Sequence, residues 1–311
     1  MRVGLIGAGG IAAAHLDAWR AQGAEILLAS RTRPTALAAR YGAEAVDDVD
    51  ELVDRVEVVG ILSPTPTHLD YALRAIARGR HVVCEKPLTM TAAEARLLAD
   101  AAEASGVRLF PAHVVRYFDG YLGIKRAVDA GAIGSVRSIR MSRFGAGPTA
   151  PWFFDERAGG GLVRDFLIHD IDQALWLAGP VARVRAAQDP PSVSGRLAAP
   201  VRARITLTHT NGAESRIDGG WLGAGTPFRT TIAVGGGGGT LAFDSAASGP
   251  AVDGFLPPAT DEDPYRAQIA DFAEAIRSSR PARVGPGDGV AAVAVVDAAY
   301  ASIAARDAID L

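Results

Sequence analysis

A short apolar strand, Arg2–Ile6, runs without a break into Gly7-Ala8-Gly9-Gly10-Ile11-Ala12, and this opening constrains the fold more than any later segment. The spacing fits G-x-G-x-x-G/A with Ala12 in the third position. Gly7 permits the tight turn, Gly9 lets the backbone approach a pyrophosphate, and the small Ala12 lets the following helix pack closely on the strand. Ile11–Gln22 reads as that helix, with its positive N-terminus beneath the phosphates. Gly7, Gly9, Gly10 and Ile11 are therefore the first cofactor contacts expected. The alternative is a glycine turn in an α/β protein that binds no nucleotide.

The first third continues as strand and helix in alternation. Ala24–Ala29, Val56–Leu62, His81–Cys84 and Arg108–Pro111 read as strands. Pro34–Tyr41, Leu69–Arg78 and Ala92–Ser105 read as helices. Such alternation with short connections implies a parallel, doubly wound sheet of Rossmann type. The pattern changes after about Tyr117. Tyr121–Ala130 reads as a helix, Ser135–Phe144 alternates as a strand, and Val163–Leu177 is a long apolar helix. Consecutive strands follow at Val201–His209, Ala213–Trp221, Thr230–Val234 and Thr240–Phe243, before helices over Tyr265–Arg277 and Gly289–Ala305. The expected fold is α/β, with a dinucleotide-binding domain over 1–117. A C-terminal α+β domain over 118–311, with a mostly antiparallel sheet, would bind substrate and form oligomers.

Lys and Arg total 32 against 35 Asp and Glu. That near balance gives no electrostatic reason to expect nucleic acid or an anionic membrane. A single cysteine, Cys84, excludes an intramolecular disulfide and fits a reducing compartment. The N-terminus lacks a signal-peptide pattern, and no uninterrupted apolar run reaches the roughly 20 residues of a membrane span. These features predict a cytoplasmic protein without a membrane partner. The six histidines and the cysteine show no metal-ligand spacing.

The end of the second strand bears on cofactor choice. NAD-selective sites carry Asp or Glu there to hold the ribose 2′-hydroxyl. This chain has Ser30-Arg31-Thr32-Arg33. Ser30 and Thr32 can hydrogen-bond a 2′-phosphate, and Arg31 can form a charge-assisted contact with it. NADP(H) is favoured and NAD(H) stays open; the competing reading is an exposed basic turn.

Three further segments carry candidate chemistry. Ser63-Pro64-Thr65-Pro66-Thr67-His68 leaves a strand end, where Ser63, Pro64, Thr65 and His68 are placed to meet the nicotinamide side. His68 fits equally as a helix-start residue. Cys84-Glu85-Lys86-Pro87 ends another strand, adding Glu85 and Lys86 to the cofactor contacts. A lysine there can donate to a substrate hydroxyl, or lay its stem over apolar surface. Asp165, His169 and Asp172 follow Gly159-Gly160-Gly161 at i, i+4 and i+7, which places them on one face of a helix. A carboxylate and an imidazole on an otherwise apolar helix suit general acid–base work. They also suit a helix start in which Asp165 offsets the dipole and His169 is satisfied by it.

Taken together, GAGGIA from residue 7, SPTPTH at 63–68, EKP at 85–87 and GGGLVRDFLIHDID at 159–172 resemble the Gfo/Idh/MocA oxidoreductases, over essentially the whole chain. The D-x-x-I-H-D-x-D form is most similar to the inositol dehydrogenases. The resemblance implies a catalytic set of Lys86, Asp165 and His169 that moves a hydride between nicotinamide and a ring hydroxyl or ketone of a cyclitol or sugar. It implies that Arg116, in the segment linking the domains, helps bind substrate alongside Lys86, Asp165 and His169. It also implies a homodimer or homotetramer joined through the second sheet. Trp152 and Trp221 are candidate sugar platforms, each as well suited to core or interface. Relatives that are nicotinamide-assisted glycosidases, or dinucleotide-binding regulators without enzymatic activity, supply the alternatives.

Overall fold

The computed structural model describes residues 1–246 and 263–311, which divide into two compact units. The first comprises Met1–Tyr117 with 263–290, and the second comprises 118–246 with Ala291–Leu311.

Six parallel strands form the sheet of the first unit: β1 (Arg2–Ile6), β2 (Glu25–Ala29), β3 (Glu44–Val46), β4 (Val58–Ile61), β5 (His81–Glu85) and β6 (Leu109–Ala112). Their spatial order is β3-β2-β1-β4-β5-β6. The order reverses between β1 and β4, and ligands of doubly wound sheets bind at the carboxyl ends beside such a switch. Helices α1 (Ala12–Ala21), α2 (Thr35–Tyr41), α3 (Val49–Asp54), α4 (His68–Ala77) and α5 (Ala92–Ala104) connect the strands. Val3, Leu5, Leu28, Val58 and Val83 are fully or almost fully buried, the near-continuous apolar pattern of strands covered on both faces. Thr91 and Glu94 close a capping box that starts α5. The three-residue edge strand β3 lacks the apolar run by which the other strands are legible.

The second unit opens with α6 (Asp119–Asp129) and carries a seven-stranded sheet. Its strands are β7 (Val136–Ala146), β8 (Val181–Asp189), β9 (Val201–His209), β10 (Glu214–Leu222), β11 (Arg229–Gly236), β12 (Gly239–Asp244) and β13 (Ile309–Asp310), in the order β12-β11-β7-β10-β9-β8-β13. All pairs are antiparallel except β7 with β10. Helix α7 (Ile168–Ala178) packs on this sheet.

The closing helices correct the expected domain limits. Helix α8 (Pro264–Ser278) belongs to the first unit rather than the second. Its stripe of Gln268, Ile269, Phe272 and Ala273 is buried there, with Phe272 stacked on Phe110 at 4.7 Å. Arg266 pairs with Asp17 of α1, and the Tyr117 hydroxyl donates to Asp271 at 2.7 Å. Helix α9 (Pro286–Ala305) corrects a second expectation, because by length and composition it could span a membrane. Val293, Val296 and Ala299 on it are fully buried, and its Asp297 accepts from Arg164.

Candidate active site

The turns after β1, β2, β4 and β5 come from adjacent strands, so the first-unit candidates line one edge of the sheet. Gly7 adopts φ +118°, and a Cβ there would lie 2.7 Å from the Leu62 backbone. Only glycine serves where the β1 turn presses on the β4 turn. At Gly9 and Gly10 a Cβ would meet nothing within 4 Å. Those glycines therefore leave an open cradle instead of filling a packed one. Helix α1 begins after Ile11 with no side-chain cap and no acidic residue in its first turn. Its first amides suit the anionic diphosphate of a dinucleotide, so the residues present fit the cofactor.

Beyond β2, Ser30 is partly exposed and Arg31 and Thr32 are exposed. Arg33 is engaged by the Asp47 carboxylate and by the Ala45 carbonyl oxygen. Arg31 has no carboxylate partner among the described residues. Asp47 puts an acidic group beside this turn from the end of β3, which the turn's own sequence does not reveal.

His68 departs from expectation. It is buried at the start of α4, with Nδ1 2.9 Å from the Pro87 carbonyl oxygen and Nε2 2.8 Å from that of Ser63. The neutral ring donates from one nitrogen to one of these carbonyls, and enclosed between the two backbone segments it is a brace rather than a cofactor ligand. Burial pushes its pKa below the usual range, against the opposing pull of those carbonyls. Ser63 and Thr65 remain on the same turn, with the Ser63 hydroxyl 2.7 Å from that of Thr67.

Glu85 is likewise turned inward. Its Oε1 lies 2.8 Å from Nε2 of His15, and its Oε2 accepts the Lys86 amide at 3.1 Å. Lys86 itself is partly exposed at the end of β5. Cys84 is buried, its thiol pushed well up by burial, as befits an inert core residue.

In the second unit, the expected single α-helix over Val163–Leu177 is two structures. Leu162–Leu167 is π-helical and α7 starts only at Ile168. Gly161, at φ +66°, starts the π segment where a Cβ would lie 2.8 Å from Glu156 Cγ and 2.9 Å from the Tyr300 hydroxyl. Arg164 then pins the segment to α9, donating to Asp297 at 3.1 Å with its guanidinium 4.8 Å from the Tyr300 ring centre. Asp165 lies in the π segment and His169 in the first turn of α7, both partly exposed. Asp172 is buried, so the polar stripe expected through it ends at His169. Wide turns of this kind are frequent at functional sites.

Two neighbours of this segment were missed from sequence. Asp170, adjacent to His169, is fully buried against Arg143 of β7, with Nε 2.6 Å from Oδ2. Burial works against the Arg143 charge, and the adjacent carboxylate more than offsets it, raising the guanidinium above its usual range. Trp152 is 40% exposed, one ring face stacked on Phe153 at 3.7 Å. Trp221 is 2% exposed among Phe153, Phe154 and Phe166, which makes it core. Arg116 is only 2% exposed, donating to the Arg283 carbonyl at 3.2 Å and to Asp288 at 3.0 Å. Those bonds fasten Tyr117 and the start of α9 within the first unit, which removes Arg116 from our substrate set.

Residues 1–113 match the oxidoreductase family with an NAD-binding Rossmann fold, and 121–242 match the GFO/IDH/MocA C-terminal domain. The chain belongs to the Gfo/Idh/MocA oxidoreductases. Among curated members of that family, it is 28% identical to the inositol 2-dehydrogenase of Rhizobium meliloti strain 1021, over 100% of this chain and 99% of the other. It is also 28% identical to the rhizopine catabolism protein MocA of Rhizobium meliloti, over 96% and 93%. Among solved structures, GenD2 of gentamicin A biosynthesis, in complex with NAD, superposes with a TM-score of 0.88 at 25% identity, over 100% and 96% of the two chains. A putative myo-inositol dehydrogenase from Sinorhizobium meliloti 1021 gives 0.84 at 25% identity, over 100% and 99%. Family membership makes the chain an oxidoreductase with a nicotinamide-dinucleotide domain.

Proposed function

We propose that this oxidoreductase moves a hydride between NADP(H) and a ring hydroxyl or ketone of a cyclitol or sugar, with Lys86, Asp165 and His169 as its acid–base set. The observation that carries the reading is a conjunction. An inositol 2-dehydrogenase matches the chain end to end, and all three candidate groups stay partly exposed while Glu85, Asp170 and Asp172 beside them are buried. Groups kept for packing are enclosed, as Asp170 and Arg116 are; groups kept for chemistry must reach a substrate.

The nicotinamide, when bound, supplies the hydride acceptor or donor. In the oxidative direction the His169 imidazole takes the proton of the reacting hydroxyl. Asp165 hydrogen-bonds substrate or histidine and keeps the base oriented. The Lys86 ammonium donates to the reacting oxygen and steadies the charge that develops there. Gly7, Gly9, Gly10, Ile11, Ser63, Pro64 and Thr65 hold the dinucleotide, and the exposed face of Trp152 stacks on the substrate ring. Preference for the 2′-phosphate rests on Ser30, Thr32 and the uncommitted Arg31. The same reading makes the enzyme a cytoplasmic homodimer or homotetramer.

The test follows reduced nicotinamide while purified protein meets a panel of cyclitols and aldoses with NADP⁺ and NAD⁺ in parallel. Turnover with NADP⁺ preferred supports the whole reading. Turnover with NAD⁺ preferred keeps the chemistry and removes the role of Arg31. Protein that binds a dinucleotide but turns over nothing in the panel would overturn the dehydrogenase reading and favour a glycosidase or a regulator.

A further inference from the structure

We propose that His15 is a positioning residue, which through the Glu85 carboxylate fixes the Lys86 backbone against the helix that follows the glycine turn. The inference rests on the assignment of Lys86 to the acid–base set.

The geometry lies wholly within the first unit. His15 is fully buried on α1, one turn past Ile11. Glu85 is 9% exposed at the last position of β5. Its two oxygens face different elements, Oε1 meeting His15 Nε2 at 2.8 Å and Oε2 meeting the Lys86 amide at 3.1 Å. One carboxylate thus spans 70 residues of sequence and joins the β1 turn to the β5 turn.

Chemistry fixes the roles. A carboxylate withdrawn from water must be satisfied by donors, here His15 Nε2 and the Lys86 amide. Burial raises the cost of its charge, while the bond to His15, the His15 charge and Lys86 more than offset this, holding the Glu85 carboxyl below its usual range. An ionised carboxylate only accepts, so His15 Nε2 carries a hydrogen and donates it. His15 Nδ1 has no partner among the described residues. Helix α8, whose Tyr265 ring meets His15 edge-on at 6.2 Å, also buries Gln268 with both amide atoms unpartnered. A group whose supporting partners are themselves locked holds its geometry, and misplacement by about 1 Å costs on the order of 100-fold in rate.

The experiment measures hydrogen exchange of the Lys86 amide in the full chain for wild type, His15→Gln and His15→Leu, with kcat and dinucleotide Kd on the same samples. A glutamine Nε2–H reaches where the imidazole Nε2–H reaches, whereas leucine donates nothing. His15→Leu is expected to raise Lys86 amide exchange at least about tenfold and lower kcat about 10- to 100-fold, with Kd within about threefold. His15→Gln is expected to restore exchange to within about threefold of wild type. If His15→Leu does not fold, His15→Asn, too short to reach Glu85, carries the same expectation. Unchanged exchange in the leucine or asparagine variant, or a glutamine variant no better than it, would overturn the link. Lys86→Ala, measured alongside, separates the two readings: full turnover there removes Lys86 from the acid–base set, and the exchange result still decides the role of His15.

Discussion

Arg143 and Asp170 form a two-point ion pair inside the second unit, Nε to Oδ2 at 2.6 Å and Nη2 to Oδ1 at 3.3 Å, both side chains almost wholly out of water. The pair fastens α7 to β7 one residue away from His169. Removing one partner leaves the other charge buried alone, which costs about 3–5 kcal/mol, while replacing both with apolar groups is often close to neutral. Arg143→Met should therefore lower unfolding stability by about that amount in urea titrations. Arg143→Met with Asp170→Leu should recover most of it. A double variant as unstable as the single would contradict this account of the pair.

Gly7 and Gly9 of the first turn should fail differently. Gly7→Ala places a methyl 2.7 Å from backbone atoms at φ +118°, so the first unit should lose stability even without cofactor. Gly9→Ala places its methyl in open space, so the melting temperature should hold while dinucleotide affinity falls about tenfold or more. Calorimetry and fluorescence titration on the two variants check this contrast. A stable Gly9→Ala protein that binds dinucleotide normally would remove the cradle from the account.

Much of this architecture is legible in the chain because its signals are local. The β1 strand, the glycine turn and the apolar strands β4 and β5 are runs of neighbours, and their turns fall at the sheet edge where a doubly wound fold presents ligands. What stayed hidden depends on distant partners. The inward turn of Glu85 needs His15, the burial of Arg116 needs Asp288, and the placement of α8 needs Asp17 and Phe110. The π-helical turn that carries Asp165 is invisible to periodicity, because an apolar run of mixed large residues reads as α-helix until Tyr300 and Asp297 are known to hold its first turn. Short strands such as β3 and β13 owe their existence to the neighbours they pair with.

Cofactor choice should respond to Arg31 alone. Arg33 is already held by Asp47, so Arg31→Ala should weaken NADP⁺ binding about tenfold, the size of one exposed charge-assisted hydrogen bond, with NAD⁺ affinity within about twofold. Competitive titration of the two cofactors reads the ratio. An unchanged ratio would assign the 2′-phosphate to other groups or leave it without a site.

Acid should weaken the fold partly through His68. Its pKa is lower in the folded protein than in the unfolded chain, where it is about 6.5, so the unfolded state takes up the proton first. The contribution of the neutral buried ring is complete above that value. Below it, stability falls by at most about 1.4 kcal/mol per pH unit until the folded value is passed. His81 and His209 shift in the same direction and remain in a His68→Gln variant. Urea midpoints between pH 7.5 and 5 should therefore fall less steeply in His68→Gln than in wild type. Equal slopes would mean that the ring takes up its proton as readily in the folded protein as in the unfolded chain.

The central claim is that His169 handles the substrate proton while the first unit binds the cofactor independently of it. The most direct measurement compares His169→Ala with wild type, taking dinucleotide Kd and the rate of nicotinamide reduction on the best substrate of the panel from one preparation. The account predicts an unchanged Kd and a turnover reduced about 10²- to 10⁴-fold, the range of general-base help. Turnover within a few-fold of wild type at equal cofactor saturation would contradict it.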